Sequence, residues 1–271
     1  MRPELGASLD HIAIRSPDPE RLARFFEDVY GMLREPLGEG WKCAATGRAF
    51  LVMPGEANRL AFFALGFESE EAFARRRARL SRGANASPLF DDRAVSATDP
   101  DGNVVAFGLR TASAGPDQPL PARLQHLALR TANIDAMLAF YRDELGFLLS
   151  DRVEDSEGAL RACFLRSDEE HHVLALFRSG EARFDHVSCE TPDITRLIGW
   201  ADRVAARRVP IHWGIGRHGP GNDAFFMVKD PDENLIEIST ELERVEADRA
   251  AGTWPHEQRT LNLWGSAIMR S

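Results

Sequence analysis

Three residues in the C-terminal half of the chain have the types and positions needed to bind a metal ion. His126 and His186 lie on short apolar runs that predict strands, and Glu237 lies in a third run, NLIEIS. A buried histidine needs partners for its ring nitrogens, and a buried carboxylate needs a compensating group. One such histidine is more often a hydrogen-bonded core residue. Two histidines and a carboxylate at equivalent places of repeated segments favour a ligand set.

The chain contains an internal repeat, which shows what these positions hold when no site is needed. The segment LDHIAIRSPDPERLARFFEDVYGM from position 9 aligns without a gap with LQHLALRTANIDAMLAFYRDELGF from position 124, and ATDPDGNVVAFG matches VKDPDENLIEIS. The alignment pairs His11 with His126, Phe62 with His186 and Ala106 with Glu237. Phenylalanine and alanine cannot bind metal. We therefore predict one site, in the second half, and interpret His11 as a structural remnant.

Two neutral imidazoles and one carboxylate have a characteristic chemistry. Together they form a facial set of ligands with open positions, the arrangement found in non-haem Fe(II) oxygenases. The open positions can take a bidentate substrate together with O2. We therefore predict Fe(II) as the cofactor. Mn(II) fits the same three ligands, and zinc is also compatible with them.

Each quarter of the chain predicts the same succession of elements. A strand of alternating apolar residues is followed by a polar turn with Asp or Asn, then by a helix with apolar spacing, then by further strands. Gly31 and Gly146 end the first helix of each half. The chain is thus predicted to consist of four βαβββ modules. The fold class is α+β, with two tandem domains, each a curved, partly open mixed sheet around a cavity.

The repeat also predicts the domain boundaries. Residues 1–112 form a first domain without a metal site, residues 120–241 form the metal-binding domain, and residues 242–271 form a tail. The Pro- and Ala-containing stretch TASAGPDQPLPAR, 111–123, is the predicted linker. The tail carries two tryptophans and could fold over the mouth of the site or pack on a partner subunit.

Composition limits the function classes. The chain has 271 residues and a formal net charge of −9, which does not favour a nucleic-acid partner. It has no apolar run of about 18 residues, so no membrane span is expected. Its three cysteines are widely spaced and suggest no disulfide framework. We predict a cytoplasmic protein that acts on a small molecule.

Three strings extend the match to a known family. The predicted metal-binding half contains, in chain order, HHVLALF at 171–177, GRHG at 216–219 and KDPDENLIEIST at 229–240. With the paired modules, they resemble the type I extradiol ring-cleaving dioxygenases of the vicinal oxygen chelate superfamily. The resemblance covers roughly residues 8–241. It implies a small aromatic diol of the catechol type and O2 as partners, ring cleavage beside the two hydroxyls, and a homo-oligomer.

The resemblance also implies roles for further residues. His172 matches the histidine that assists substrate deprotonation and O2 activation, with His171 as the neighbouring alternative, and His218 matches the one that hydrogen-bonds a substrate oxygen. Both roles suit imidazole. The predicted substrate pocket comprises Trp213, Asn222, Asp223 and Met227.

One position departs from the family pattern. Met227 stands where these enzymes usually have a tyrosine that contacts the substrate oxygen, and methionine cannot donate that hydrogen bond. This leaves two alternatives open. The protein could be another metal-dependent enzyme of the superfamily, such as a lyase, isomerase or hydrolase that uses the metal as a Lewis acid. It could also be a binding protein of the glyoxalase/bleomycin-resistance type.

Overall fold

A computed structural model describes residues 5–80, 82–111 and 119–269. Each predicted module is present as one strand, one helix and three strands, and the third module has a π-helical turn after its helix. The first domain contains β1 (Ala7–Ser16), α1 (Pro19–Tyr30), β2 (Leu33–Leu37), β3 (Gly40–Ala45), β4 (Arg48–Pro54), β5 (Leu60–Phe67), α2 (Glu70–Leu80), β6 (Gly83–Ala84), β7 (Val95–Thr98) and β8 (Val104–Leu109).

The second domain repeats this order and adds the tail elements. It contains β9 (Arg123–Thr131), α3 (Ile134–Ala139), the π-helical turn (Phe140–Leu145), β10 (Leu148–Glu154), β11 (Leu160–Arg166), β12 (Leu174–Arg178), β13 (Arg183–Glu190), α4 (Ile194–Ala206), β14 (Ile211–Arg217), β15 (Ala224–Lys229) and β16 (Leu235–Thr240). The tail adds β17 (Gly252–Pro255) and α5 (Gln258–Leu261). The predicted α+β fold class is confirmed.

The strands form two open mixed sheets. Their orders are β2-β3-β4-β1-β5-β8-β7-β6 and β14-β15-β16-β13-β9-β12-β11-β10-β17. In each sheet the first strands of two modules pair antiparallel at the centre, β1 with β5 and β9 with β13. Each module then returns its last strand parallel to its own first strand, as β16 does beside β13. The two modules of a domain therefore build one continuous sheet.

Local sequence signals set the ends of the helices. Asp18 and Asp193 accept a hydrogen bond from the backbone amides of Arg21 and Arg196, at 3.1 and 2.9 Å, and so cap the starts of α1 and α4. At the other end of α1, Gly31 adopts a left-handed conformation with φ 67°. Because that conformation costs glycine little, the glycine stops the helix and turns the chain into β2.

The two faces of each sheet have different neighbours. Alternate residues of a strand point to opposite faces. On β9, Leu127 and Leu129 pack in the main core with the helices, whereas Ala128 belongs to a separate cluster on the concave face with Phe225 and Met227 of β15. The candidate ligands share this concave face. The matching face of the first domain is filled by apolar side chains: Ala13, Leu51, Phe62, Ala64, Phe90, Ala94 and Ala106.

Three sequence predictions concern the chain as a whole. The predicted linker, 111–123, includes residues 112–118, which lie outside the described residues. The domain boundaries at 112 and 120 therefore stay predictions. The cysteines Cys43, Cys163 and Cys189 are buried and unpaired. Within the described ranges, no helix combines the length and the apolar character needed to cross a membrane.

Candidate metal centre and cavity

The predicted ligands lie on three adjacent strands. On β13, Ser188 is opposite His126 of β9 on one side and opposite Glu237 of β16 on the other, while His186 is opposite Ala128. The first domain has the same register: Ala64 is opposite His11 and Ala106, and Phe62 is opposite Ala13. The residue matches taken from the internal repeat therefore agree with the backbone pairing.

The three ligand side chains converge on one point. Nε2 of His126 lies 3.2 Å from Nε2 of His186 and 3.4 Å from Oε1 of Glu237. The three potential ligand atoms all lie within 4.8 Å of one another. All three residues are buried. The structure thus brings together the set predicted from the sequence.

Neighbouring side chains orient the two imidazoles. Nδ1 of His126 is hydrogen-bonded to Oε1 of Gln125, whose amide nitrogen donates to the carbonyl of His172 at 2.8 Å. Nδ1 of His186 lies 2.6 Å from Oδ1 of Asp185, and the other oxygen of Asp185 accepts from Arg130. Both Nδ1 atoms therefore carry the proton, and both Nε2 atoms present lone pairs. Such outer partners are typical of histidines that bind metals.

The donor set fits a divalent cation. Two lone pairs facing each other make no hydrogen bond, and Oε1 of Glu237 is buried without a hydrogen-bond partner. With metal–ligand bonds of about 2.1 Å, two ligands are separated by about 3.0 Å at a right angle and by about 3.4 Å at a tetrahedral angle. The observed separations of 3.2 and 3.4 Å match this range. A cation at this point would satisfy all three donors.

The ionisation states of His126 and Glu237 also favour metal binding. Burial lowers the pKa of His126 to about 3, so its imidazole is neutral at pH 7. Burial opposes ionisation of Glu237, but the hydrogen bond with His218 and the surrounding imidazoles outweigh it and hold the pKa of this carboxyl below its usual range. The site therefore offers the neutral imidazole of His126 and the carboxylate of Glu237.

His11 shows how the same position looks without a site. Its Nδ1 lies 2.5 Å from Oδ1 of Asp10, and its Nε2 lies 2.6 Å from Oγ of Ser87. The ring packs edge-on against Phe62 and Phe90. Both ring nitrogens have partners, so His11 is a satisfied core residue, in agreement with its interpretation as a remnant.

A cavity opens in front of the three ligands. It contains about 380 Å³ of space between atoms, including the part that opens to solvent. His126 and His186 line it together with the predicted residues His172, His218, Trp213 and Met227. The remaining lining residues were not predicted from the sequence: Phe164, Ala175, Phe177, Pro220 and Leu261.

The structure distinguishes between the two adjacent histidines. His172 lines the cavity, and its ring centroid lies 4.3 Å from that of His126. His171 points away from the cavity, and its Nε2 lies 3.1 Å from Oδ2 of Asp151. Burial, reinforced by the neighbouring imidazoles, lowers the pKa of His172 well below its usual value. His172 is therefore a neutral base that faces the open side of the metal site.

His218 lies on the opposite wall and is held firmly. Its Nδ1 donates to the carbonyl oxygen of Leu261 at 2.6 Å, and its ring stacks on Phe225 with centroids 3.7 Å apart. Its Nε2 lies 3.4 Å from Oε2 of Glu237. Burial lowers its pKa, but the carboxylates of Asp223 and Glu237 outweigh burial and raise it. His218 can therefore hold a proton beside the cavity.

The other predicted pocket residues differ in position. Asn222 is exposed in a turn with φ 54°, and its side chain does not line the cavity because the turn carries it outward. Asp223 is buried behind His218, and neither of its carboxylate oxygens has a hydrogen-bond partner. Burial raises the pKa of Asp223. Met227 is completely buried and presents no hydrogen-bond donor to the cavity.

The tail takes one of the two arrangements considered from the sequence. Strand β17 pairs parallel with β10, and α5 brings Leu261 onto the cavity. The indole nitrogen of Trp213 donates to the carbonyl of Ser266 at 3.0 Å. The segment after β16 therefore folds over the mouth of the site within the same chain.

Comparison with known proteins places the chain in a family. Residues 123–238 match the model of the Glyoxalase/Bleomycin resistance protein/Dioxygenase superfamily. The chain is 30% identical over 292 aligned positions to "Metapyrocatechase 2" of Cupriavidus necator, covering 96% of this chain and 89% of that protein. It is also 30% identical over 155 positions to an "Iron-dependent extradiol dioxygenase" of Rhodococcus jostii, covering 52% of this chain and 50% of the relative.

Solved structures show the same fold. Homoprotocatechuate 2,3-dioxygenase from Arthrobacter globiformis superposes with a TM-score of 0.82 at 22% identity, over 98% of this chain and 90% of that one. A Mn(II)-bound glyoxalase from Novosphingobium aromaticivorans gives a TM-score of 0.80 at 22% identity, over 97% and 92% of the two chains. The chain belongs to the glyoxalase/bleomycin resistance protein/dioxygenase superfamily and, within it, to the extradiol ring-cleaving dioxygenases.

Proposed function

We propose that this protein binds Fe(II) through His126, His186 and Glu237 and cleaves a catechol-type ring with O2 beside its two hydroxyls. The supporting observation is the convergence of three buried donor atoms, all without other acceptable partners, on a cavity that also contains two further histidines. Family membership supports the reaction class. The iron dependence named for the Rhodococcus relative supports iron, and the Mn(II)-bound glyoxalase makes Mn(II) the metal to compare.

The chain supplies the proton chemistry around the metal. Bound to the three ligands, Fe(II) would hold the substrate hydroxyl oxygens and provide the redox chemistry that joins O2 to the ring. His172, neutral because of its burial, accepts a proton from a substrate hydroxyl. His218, whose pKa is raised by Asp223 and Glu237, donates a hydrogen bond to a substrate oxygen. The apolar walls exclude water from the reacting groups.

The test compares two glutamates that are four residues apart. Glu237→Gln keeps the side-chain shape but weakens the ligand, whereas Glu233→Gln changes an exposed residue that pairs with Lys229. After Fe(II) loading under nitrogen, we expect the native protein and Glu233→Gln to retain iron, and to consume O2 and form a coloured product with catechols in air. Glu237→Gln should lose at least about 10²-fold in metal affinity or activity. Full iron occupancy without O2 uptake on any catechol would contradict the proposal.

Met227 supports one second candidate, because it presents no hydrogen-bond donor to the cavity. A lyase or isomerase that uses the metal only as a Lewis acid does not need a donor at this place. Such an enzyme would turn over its substrate under nitrogen with Mn(II) or zinc, whereas ring cleavage stops without O2. A homo-oligomer and a cytoplasmic location stay predictions from the sequence.

A further inference from the structure

The cavity wall shows a sharp division of residue types. Apart from its imidazoles, the described residues that line the cavity are all apolar: Phe164, Ala175, Phe177, Trp213, Pro220, Met227 and Leu261. In this described lining there is no lysine, arginine, hydroxyl or amide side chain. This separation between imidazole and apolar lining residues holds whatever the orientation of a substrate ring in the cavity. Beyond the two hydroxyls, a substituent that stays inside the cavity and avoids the histidines meets an apolar surface.

The nearest arginines are directed to other partners. Arg217 precedes His218, but its guanidinium donates to the carbonyl of Asn222 at 2.6 Å and to Glu241 at 2.6 Å. Arg130 contacts Asp185 at 2.5 Å, behind the metal ligand His186. Neither cation reaches the cavity, so a substituent inside it would find no guanidinium or ammonium group, and Nε2 of His218 already faces Glu237 at 3.4 Å.

Two buried acidic residues lie next to His218 beside the cavity. Glu237 provides one carboxylate, and Asp223 provides a second whose two oxygens have no hydrogen-bond partner. A negatively charged substituent placed here would be desolvated without compensation and would approach like groups. An alkyl substituent would instead gain from leaving water.

We infer that the substrate is a catechol without a charged substituent, either unsubstituted or carrying a small alkyl group, and that the cavity excludes catechols with a ring carboxylate. The inference rests on the proposed function and adds its substrate class. It follows from the composition of the wall and the direction of the neighbouring arginines. It does not follow from the three metal ligands, which serve any catechol equally.

The experiment compares catechols that differ in charge. 4-Methylcatechol is paired with 3,4-dihydroxybenzoate, and 3-methylcatechol with 2,3-dihydroxybenzoate, so that two ring positions are covered. Methyl 3,4-dihydroxybenzoate separates the charge from the electron-withdrawing effect of the carboxyl. For the Fe(II)-loaded protein, we expect the Kd of each carboxylate, measured by calorimetry under nitrogen, to exceed that of its methyl partner at least about a hundredfold. The methyl ester should bind close to the methylcatechols, and kcat/KM in air should follow the same order.

A variant of Leu261 tests the cause directly. Leu261 is 7% exposed at the rim, so an arginine there can keep its charged end near the mouth while its stem lines the wall. We expect Leu261→Arg to bring the Kd values of 4-methylcatechol and 3,4-dihydroxybenzoate within about tenfold of each other. Leu261→Met, which conserves volume, should retain the preference for the methyl compound.

The outcomes separate the two proposals. Equal or tighter binding of the carboxylates by the native protein overturns the inference, as does an unchanged Kd ratio in Leu261→Arg. The expected order of Kd values without any O2 uptake supports the preference and contradicts the proposed ring cleavage. Failure to bind any of the catechols overturns both.

Discussion

Two buried side chains, His171 and Asp151, determine which ring nitrogen of His172 carries the proton. Nδ1 of His172 lies 3.1 Å from Nδ1 of His171, and Nε2 of His171 lies 3.1 Å from Asp151. In the second contact the N–H of His171 approaches the carboxylate outside ideal hydrogen-bond geometry. With Asp151 ionised, His171 keeps its proton on Nε2 and accepts through Nδ1. His172 must then carry its proton on Nδ1, which leaves Nε2 as the basic nitrogen.

His171 is therefore expected to position the base without contacting substrate. His171→Phe keeps a ring in the core but removes the acceptor, so the tautomer of His172 is no longer fixed. We expect kcat to fall by about 10- to 100-fold with little change in KM or metal content. His171→Asn, which restores an acceptor near the position of Nδ1, should recover part of kcat. Equal losses in both variants, or loss of metal, would indicate a general structural effect.

The sequence could predict some of these residues and not others. The metal ligands were accessible because the internal repeat supplies a matched copy in which Phe62 and Ala106 replace two of them. The sequence could not distinguish His172 from His171. Both residues precede β12, so the alternation of side chains along a strand does not assign them to faces. Asp151 and Leu261 are distant in the chain, and only the tertiary structure shows that they support the site.

Among the secondary-structure elements, the tail is held to β10 by backbone pairing and by one buried carboxylate. Asp151 of β10 accepts from the backbone amide of Gly252 at 3.0 Å and from the indole of Trp254 at 2.7 Å, both on β17, and contacts Arg249 at 3.1 Å. These contacts join the tail to the sheet beside His171. The four modules were predictable from their repeated patterns. Strand β17 was not, since four residues are too few to establish a strand pattern and its partner strand lies about one hundred residues earlier.

This attachment should weaken in acid. Burial opposes ionisation of Asp151, but His171, Trp254 and Arg249 outweigh it and lower its pKa from 3.8 to about 2. A carboxyl with a depressed folded-state pKa stabilises the protein above its unfolded pKa and loses that contribution as pH falls through the folded value. A shift of this size corresponds to about 2 kcal/mol. Stability should therefore decline between about pH 4 and pH 2 in part through this group.

The measurement is urea unfolding followed by tryptophan fluorescence at several pH values. Asp151→Asn should be less stable than the native protein at pH 6, and the difference should narrow as pH falls towards 2. Asp135→Asn is the matched control, because Asp135 is 72% exposed and pairs only with Arg178 among the contacts described. Its effect should be small throughout. A difference between Asp151→Asn and the native protein that stays constant with pH would contradict the assigned ionisation.

In the whole molecule, the two sheets share one backbone pattern and have different concave faces. In the first domain that face is packed with apolar side chains around a satisfied His11. In the second, His126 and its neighbours leave donor atoms without mutual partners and a cavity in front of them. The first sheet is therefore stabilised by close packing on this face. The second is packed less closely there, and a bound cation would stabilise it.

Matched substitutions at His11 and His126 should separate these roles. His11→Phe removes the ring that contacts Asp10 and Ser87, which keep only their bonds with Thr111 and Leu89. We therefore expect a loss of about 1 to 3 kcal/mol in unfolding free energy, with metal content retained. His126→Phe removes a ligand, so metal content should fall sharply. Because a metal that binds only the folded protein raises its stability, a chelator should lower Tm by several degrees in the native protein and in His11→Phe. It should leave the Tm of His126→Phe unchanged. If the chelator effect were lost in His11→Phe but kept in His126→Phe, the metal would bind in the first half of the chain, which would contradict the assigned site.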